Sequence, residues 1–483
     1  MALPILNNWH KLSDSKKSAF VFTIALLITK GIAILTTPIF TRIMSTSDIG
    51  LVGIYTSWAS MLGVVISLGL TSGGFYIGLK DFATSRNQYV SSILSLTSLG
   101  ALTASVTYVI CPHFWENILG LTPPLIILML IGFFLGPSYE MWLGRQRYEN
   151  KYSLPAKVTV FTGIGAATAA ILTVLYMGEH NRGNLAEGRL FATYGVTYAV
   201  YLVFFITIFA KGKTFFNKKF WKSSLILSTP LVGHAFASQV LSVSDRMMID
   251  KMTGTADVGI YTVLYSVGTL SLILWNAINH SYVPYLFQNI DSKEKKREIA
   301  KSASLILIGF SGVVILISLL APEIVNILAT ENYLRAVRIV PPIVAGIYLT
   351  SVANFYSNVL IYAKNTVMIM VSTCVAAAVN VGLNLIFIPM YGFEAAAYTT
   401  LVSYIAYALM QAISANVLFR RYSGRAIVYS NPGMFIIASL TVVACILSSL
   451  TYQYDIIRYG LILILAVGTL AVLKKHYDNK TVK

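Results

Sequence analysis

The sequence predicts an all-α polytopic membrane protein of about fourteen transmembrane helices, and two observations lead to this prediction. Of the 483 residues, 56% are hydrophobic and only 11% are charged, and the mean hydropathy is +0.71. That is more apolar surface than a soluble domain can bury. The apolar residues also fall in runs of about 20, the helix length that crosses about 30 Å of hydrocarbon. These runs are too long and too uniformly apolar for β-barrel strands of about ten residues.

The predicted helices form two sets of six and a final pair. The first set covers residues 18–40, 49–70, 90–112, 123–143, 154–178 and 189–210. The second set covers residues 224–244, 258–283, 302–321, 337–362, 366–388 and 393–418. The final pair covers residues 433–452 and 456–473. The first run is too long for the core of a signal peptide and lacks a small-residue cleavage site, so we expect a retained helix.

A short polar turn occurs twice and indicates two related halves. The turn residues recur at the same spacing before an apolar run: Thr46, Asp48 and Gly50, then Thr255, Asp257 and Gly259. A second echo is the pair Glu187 and Glu394, each opening an apolar run that contains tyrosines. Because six spans separate the copies, the halves should be parallel repeats about an axis along the membrane normal.

The repeat predicts the division of the chain. We expect a first six-helix lobe over 1–210, a basic cytosolic linker over 211–222, a second six-helix lobe over 223–418, a two-helix hairpin over 432–473 and a cytosolic tail over 474–483.

The formal net charge of +17 is explained by topology rather than by nucleic-acid binding. Most of the 36 lysines and arginines fall in alternate loops, and this bias predicts that both termini are cytosolic. The densest basic runs, 211–222 and 291–301, are typical of anchors on anionic lipid. Cys111, Cys374 and Cys445 have neither metal-binding nor disulfide spacing, so no metal and no disulfide is expected.

The first helix carries an ionisable side chain at membrane depth. Lys30 lies near mid-span on the same face as several threonines, and a charge placed there usually faces a cavity or a partner. It could bind an anionic substrate, or it could pair with a carboxylate while the threonines hold helices together. Arg42 at the outer end is a further cavity candidate, and Pro38 is a candidate hinge because proline interrupts the helical hydrogen bonds.

The seventh helix occupies the matching place in the second half and carries a similar polar face. His234 and Gln239 lie near mid-span and are cavity candidates, although a buried histidine is more often a packing residue. Asp245 and Arg246 are expected at the outer mouth, where they could pair with each other or with Arg42 or Asp250. Pro230 is the second candidate hinge.

Tyrosines recur on single faces of three helices and could stack on sugar rings in a wet cavity, or serve in helix packing and interface belts. They are Tyr194, Tyr198 and Tyr201 on the sixth helix, Tyr261 and Tyr265 on the eighth, and Tyr348 and Tyr362, together with Asn358, on the tenth. Glu140 is expected at the cytosolic end of the fourth helix, within a turn of the interface. The sequence contains no GxxxxGK[ST], DxD or HExxH motif, so no catalytic site and no enzyme activity are predicted.

Three segments resemble one family of exporters. They are TTPIFTRIMSTSDIGLVGIYTSWASMLGVVISLGL, SDRMMIDKMTGTADVGIYTVLYSVG and MYGFEAAAYTTLVSYIAYAL. Together with the span count and the two halves, they resemble the polysaccharide-transport branch of the multidrug/oligosaccharidyl-lipid/polysaccharide (MOP) exporter superfamily, and within it the Wzx-type flippases of O-antigen and capsule repeat units.

This resemblance implies a flippase of the bacterial inner membrane. Such proteins move undecaprenyl-diphosphate-linked oligosaccharides, the precursors of lipopolysaccharide O-antigen or capsule, to the outer leaflet by alternating access between two lobes. It implies membrane lipids as partners, with a polysaccharide polymerase and chain-length proteins as further candidates. It implies no cofactor beyond coupling to an H⁺ or Na⁺ gradient or to the membrane potential. Lys30 and Arg246 match the basic cavity residues of the family.

Two other functions remain open from the sequence. An ion-coupled multidrug exporter of the same superfamily would need a carboxylate deep in a lobe, and Glu140 is the candidate. A membrane-embedded polymerase or glycosyltransferase would ordinarily show a large outer loop or an acidic catalytic pair, and the sequence has neither.

Overall fold

The computed structural model of the chain describes residues 14–71, 73–181, 183–292, 294–424, 429, 431–465 and 467–468. All regular secondary structure in these residues is helical. The chain folds as two compact units, of which the first ends at Val243 and the second begins at Ser244. The predicted tail, 474–483, and most of the second half of the last predicted span lie outside the described residues.

The first unit contains eight helices within its described ranges and the start of a ninth. They are α1 (Asp14–Ile43), α2 (Thr46–Ile66), α3 (Gly73–Asp81), α4 (Arg86–Ile110), α5 (Pro112–Leu119), α6 (Pro123–Tyr148), α7 (Ser153–Glu179) and α8 (Leu185–Gly212). Helix α9 (Lys218–Met252) crosses the boundary between the units.

The second unit continues with eight helices in the part that is described. They are α10 (Thr255–Asn289), α11 (Lys296–Leu319), α12 (Ala321–Leu328), α13 (Glu331–Leu334), α14 (Val340–Tyr362), α15 (Val367–Tyr391), α16 (Ala395–Ser423) and α17 (Asn431–Ser448). Residues 455–465 are also helical.

The predicted spans are confirmed as helices. Among the described residues, 12 helices are long and apolar enough to cross a membrane, or 13 if the two stretches of α9 form one span. The fourteenth predicted span begins in the helix at 455–465 and ends outside the described residues. Most predicted ends agree within a few residues. The main difference is that helices continue into polar sequence, as in α6, which runs to Tyr148 instead of 143.

Helix α8 is the centre of the first unit, because it packs against α2, α4, α6 and α7, while α1 packs on α7. At one end of this unit an aromatic core forms around Tyr89, whose ring is 5.9 Å from Phe75 and 5.7 Å from Phe220. The Tyr89 hydroxyl lies 3.0 Å from Ser224 Oγ, so α9 is tied to α4 by a buried hydrogen bond.

Helix α14 is the centre of the second unit. It packs against α10, α11, α16 and α17, and 89% of its apolar window is buried. Around it, Trp275 and Phe355 pack with ring centroids 5.3 Å apart. An aromatic side chain buries a large apolar area, so this pair contributes to the packing of α10 against α14.

The repeated polar turn begins a helix in each unit. In the first unit, Ser45 and Asp48 form a reciprocal capping box that starts α2, which satisfies backbone amides that a helix start leaves unpaired. In the second unit, Gly254 adopts φ +109° immediately before α10. Only glycine takes that conformation without strain, so the second turn is made by backbone geometry rather than by a side-chain cap.

The loop after α6 is fixed by a charged triad. Arg145 Nε donates to Glu149 at 2.8 Å and Lys151 Nζ donates to it at 2.7 Å. Partial burial opposes ionisation of Glu149, but hydrogen bonds from Arg145 and Lys151 outweigh it and hold the pKa of Glu149 below its usual range. Arg145 also donates to Asn87 at 2.6 Å and thereby connects this loop to α4.

Both candidate hinge prolines lie in long helices. Pro38 is inside α1, and the stretches of α9 on either side of residue 230, Lys218–Thr229 and Leu231–Met252, are bent by 46°. Since proline removes a helical hydrogen bond, a bend at this position is expected. That these positions move remains a prediction.

We expect Gly100→Val to destabilise the first unit. A Cβ atom on Gly100 would lie 2.3 Å from the carbonyl oxygen of Ile66, and backbone cannot move aside cheaply. Overpacking of this kind costs about 1–3 kcal/mol. The measurement is the thermal unfolding midpoint of the purified protein in detergent. Gly195→Val is the control, because a Cβ there meets no atom within 4 Å. Equal loss of stability in both variants would contradict this view of the α2–α4 contact.

Candidate functional site

The most deeply buried charged side chain predicted as a site residue is Asp245, in the second unit. Its relative exposure is 0%, because α9 extends to Met252 and places Asp245 inside the helix. That it lies at the outer mouth and pairs with Arg246 stays a prediction. Tyr261 donates its hydroxyl to Asp245 Oδ2 at 2.5 Å, and Asp250 instead accepts from Thr255 at 2.6 Å.

A chain of neutral polar side chains extends from Asp245 between α15 and α16. Thr400 donates to Asp245 Oδ2 at 3.4 Å and accepts from Asn380 Nδ2 at 3.1 Å. Asn384 Nδ2 donates to Asn380 Oδ1 at 3.2 Å, and Thr399 donates to Asn384 Oδ1. We call Asp245, Tyr261, Asn380, Asn384, Thr399 and Thr400 the Asp245 cluster.

Sequence reasoning missed the two asparagines and two threonines of this cluster because they are uncharged and lie in strongly apolar runs. A signal was present. Asn380 and Asn384 are four residues apart, so they share one face of a helix, and amides inside a membrane helix must find partners.

The structure brings four predicted residues of the second unit together. The Arg246 guanidinium lies 4.6 Å from the ring centroid of Tyr265 and 5.9 Å from that of Tyr261. Arg246 is 9% exposed, so these rings contact the cation in a largely desolvated position, where a cation–π contact is strongest. Arg246 and Asp245 are adjacent in sequence and opposite in charge.

The two oxygens of the Asp245 carboxylate differ in their surroundings. Among the described residues, Asp245 Oδ1 is buried and has no hydrogen-bond partner. Unpaired buried polar atoms are rare and costly. Carboxylate, amide and hydroxyl oxygens are the donors that a small hard cation prefers, and a carboxylate can equally take a proton. The Asp245 cluster is thus suited to bind H⁺ or a monovalent metal cation.

A second polar group lines a cavity of about 440 Å³ in the first unit. We call it the first-unit cavity. Its polar lining comes from α2 and the turn after it, and from α6, α8 and α9: Ser60, Ser67, Thr71, Glu140, Tyr198, Tyr201 and Gln239. Of the predicted site residues, Gln239 is the one that lies here, and it is accompanied by two of the three tyrosines predicted on the sixth helix.

Glu140 lies farther from the helix end than expected. Because α6 continues to Tyr148, Glu140 is about two turns from its end, and the expectation of a position within one turn is wrong. Arg145, the next basic residue on the same helix, is bonded to Glu149 and Asn87. Glu140 is exposed and lines the first-unit cavity.

Lys30 and Arg42 do not line the first-unit cavity. Lys30 is exposed near the middle of the span Phe20–Ile43, and among the described residues it makes no hydrogen bond or ion pair. Pairing with a carboxylate, the structural alternative for Lys30, is therefore not seen in the described chain. Arg42 donates from Nη1 to the carbonyl oxygen of Pro38 at 2.9 Å, one turn earlier on the same helix.

Of the remaining candidates, Tyr348 lies in the packing of the second unit. Tyr348 is fully buried on α14, its hydroxyl lies 2.7 Å from Ser311 Oγ, and its ring stacks on Phe310 at 5.8 Å. This placement favours packing over sugar stacking. His234 is half-buried on α9, four residues before Ser238 on the same face.

Comparisons with known proteins agree on fold and family. A family model described as polysaccharide biosynthesis protein matches residues 15–290. No curated protein matches the chain by sequence.

Solved structures with the same fold are transporters by name. The lipid II flippase MurJ, in an inward closed conformation, is 15% identical with a TM-score of 0.69, over 95% of this chain and 100% of that chain. An inward-facing multidrug resistance MATE transporter of the MOP superfamily is 13% identical with a TM-score of 0.61, over 84% and 99%. A MOP superfamily transporter from Pyrococcus furiosus is 16% identical with a TM-score of 0.54, over 89% and 97%. At these identities the likeness establishes the fold.

We expect Asn384→Leu to destabilise the second unit. The substitution keeps the volume but removes the amide that bonds to Asn380 and Thr399, and buried groups left unpaired cost about 1–3 kcal/mol. The unfolding midpoint in detergent should fall by several degrees. Asn416→Leu is the control on α16, since the Asn416 amide donates only to the Ala412 carbonyl of its own helix, at 2.7 Å. Equal shifts in the two variants would contradict a connected network.

Proposed function

The chain belongs to the polysaccharide biosynthesis protein family, and we propose on this basis that it is a flippase for undecaprenyl-diphosphate-linked oligosaccharides. It moves O-antigen or capsule repeat units from the inner to the outer leaflet of the bacterial cytoplasmic membrane. The observation that carries the proposal is the family match over residues 15–290, which includes the first unit and the start of the second. A fold shared over 95% of the chain with a lipid II flippase supports the same class of substrate.

The proposal includes alternating access and no covalent chemistry. Both termini are cytosolic, as the lysine and arginine bias predicts, and membrane lipids surround the spans. A polysaccharide polymerase and chain-length proteins, which act on the delivered unit, are the proposed protein partners.

Lys30 is the proposed contact for the diphosphate. A diphosphate loses hydration when it enters a membrane protein, and a cation compensates for that loss through charge-assisted hydrogen bonds. Lys30 lies near mid-span, is exposed and makes no hydrogen bond or ion pair among the described residues. A charge in that position is costly unless it has an ionic ligand.

Deletion of the gene should leave lipid-linked repeat units in the inner leaflet. Wild-type protein should restore their delivery, and Lys30→Ala should lower the rate about tenfold or more, which corresponds to loss of one charge-assisted contact. The measurement is leaflet sidedness of the labelled lipid-linked sugar in cells without a second flippase. Lys157→Ala is the matched control, since Lys157 is exposed near the start of α7 rather than at mid-span. Normal delivery in the deletion strain would refute the flippase proposal.

The multidrug alternative has one observation in its favour, namely that Glu140 lines a cavity inside the first unit. Efflux of a cationic dye from the same deletion and complemented strains separates the two functions. Dye export that depends on the protein, with normal sugar delivery in its absence, would favour the exporter.

We also propose that transport is coupled to an H⁺ or Na⁺ gradient through Asp245. The support is the buried carboxylate with one unpartnered oxygen among the described residues, surrounded by hydroxyl and amide oxygens. When bound, the cation neutralises Asp245. The residues of the Asp245 cluster orient the carboxylate, because Tyr261 and Thr400 both donate to Oδ2 and leave Oδ1 facing the ligand.

Asp245→Asn should uncouple transport from the gradient. In proteoliposomes, wild-type flipping of a polyprenyl-diphosphate sugar should rise when a Na⁺ or pH gradient is imposed, whereas the variant should show the same rate with and without it. The amide keeps the shape of the side chain and removes the charge. Asp257→Asn is the control, since Asp257 pairs with the exposed Arg335 at 3.5 Å outside the cluster. A variant that still responds to the gradient would exclude Asp245 as the coupling residue.

A further inference from the structure

We propose that the first-unit cavity is a subsite for a sugar ring without negative charge, and that Glu140 excludes acidic sugars from it. This inference rests on the proposed flippase function and assigns a substrate class to one part of the molecule. The volume of the first-unit cavity, about 440 Å³, is within the range of about 300–1,000 Å³ found for small-molecule sites.

The cavity has an aromatic wall suited to a pyranose ring. Tyr198 and Tyr201 line it from α8. The Tyr201 ring stacks on Tyr139 with centroids 4.6 Å apart and planes 11° apart, so its orientation is fixed. Tyr198 can lie against α6 only because residue 132 is glycine, where a Cβ would come within 2.1 Å of the tyrosine hydroxyl. The apolar face of a sugar can pack on such rings while its hydroxyls stay in polar surroundings.

Hydrogen-bonding groups face the same space. Gln239 offers an amide that both donates and accepts. Ser60 donates its hydroxyl to the Ser57 carbonyl at 2.9 Å, which leaves its oxygen as an acceptor for a ligand. Carboxylate, amide and hydroxyl groups beside an aromatic wall together match the alternating donors and acceptors of sugar hydroxyls.

The charge of the cavity sets its selectivity. Glu140 is its ionisable carboxylate, the described lining includes no lysine or arginine, and Glu140 makes no hydrogen bond or ion pair among the described residues. The nearest basic residue on its own helix, Arg145, is engaged by Glu149 and Asn87. An uncompensated carboxylate repels a uronate or a phosphate, and such a repulsive element gives specificity against the wrong ligand.

The test compares two lipids that differ in one group. Polyprenyl-diphosphate-linked glucose and glucuronic acid have the same ring, and the second carries a carboxylate at C6. Dissociation constants are measured for both with the full-length protein in lipid nanodiscs. Wild type should bind the glucose lipid about tenfold more tightly than the glucuronate lipid, a factor that one like-charge contact readily provides.

Variants locate the effect. Glu140→Gln should bring the two dissociation constants within about threefold by improving glucuronate binding. The matched control is Glu179→Gln, an exposed glutamate at the end of α7, which should keep the wild-type preference. Gly136→Leu should fill the cavity and weaken glucose-lipid binding, because a Cβ on Gly136 meets no atom within 4 Å and the residue lines the cavity. Gly195→Leu is the control for this variant and should bind as wild type. A Cβ on Gly195 also meets no atom within 4 Å, but Gly195 does not line the cavity.

Each outcome has one meaning. Equal binding of both lipids by wild type would overturn the subsite and leave the flippase proposal standing. An unchanged preference in the Glu140→Gln variant would do the same, provided that this variant elutes as a single folded species. Unchanged glucose-lipid binding by Gly136→Leu would also overturn it. Failure of wild type to bind either lipid would overturn the flippase proposal and the subsite with it.

Discussion

Hydrocarbon offers no hydrogen-bond partner, and this constraint governs both backbone and side chains here. Each span must satisfy its backbone internally, so the described regular structure is helical. Many hydroxyl side chains find a partner by donating to carbonyls three or four residues earlier, as in Ser57 to Gly53 at 2.7 Å and Ser403 to Thr399 at 2.7 Å. A serine or threonine that bonds in this way needs no partner on a neighbouring helix.

Three of the ionisable candidate residues keep a charged group, or one oxygen of it, without a hydrogen-bond partner in the described chain. Glu140 and Lys30 make no hydrogen bond or ion pair in the described chain, and Asp245 keeps one oxygen unpartnered there. The surrounding helices could have evolved partners for these groups cheaply, since asparagine and threonine supply them elsewhere. Groups that are left available in a low-dielectric setting are expensive for stability and are therefore candidates for function.

The two units use their polar groups in different ways. In the second unit, Asn380, Asn384 and two threonines form a connected set around a carboxylate, and α14 behind them is almost wholly buried. In the first unit, the apolar window of the central helix α8 has no buried residue, and polar side chains line an open volume instead. A packed network suits a small ion that must be held by fixed oxygens, whereas a cavity suits a larger solute. This difference arises within a chain whose polar turns match at Thr46 and Thr255.

The sequence by itself determined where the membrane helices lie, because the length of an apolar run must match the bilayer and leaves little freedom. The positions of Pro38 and Pro230 within helices also followed from residue type, and the family followed from the resemblance of three segments. Tertiary structure alone decided which residues meet. Asp245 contacts Tyr261 and Thr400, one of them distant in sequence, and no hydropathy pattern encodes that register. The depth of Glu140 depended on how far α6 continues past its apolar run, which helix packing and the charged triad at Glu149 decide. Apolar length is a local property of the chain, whereas the partner of a buried polar group is set by how helices pack.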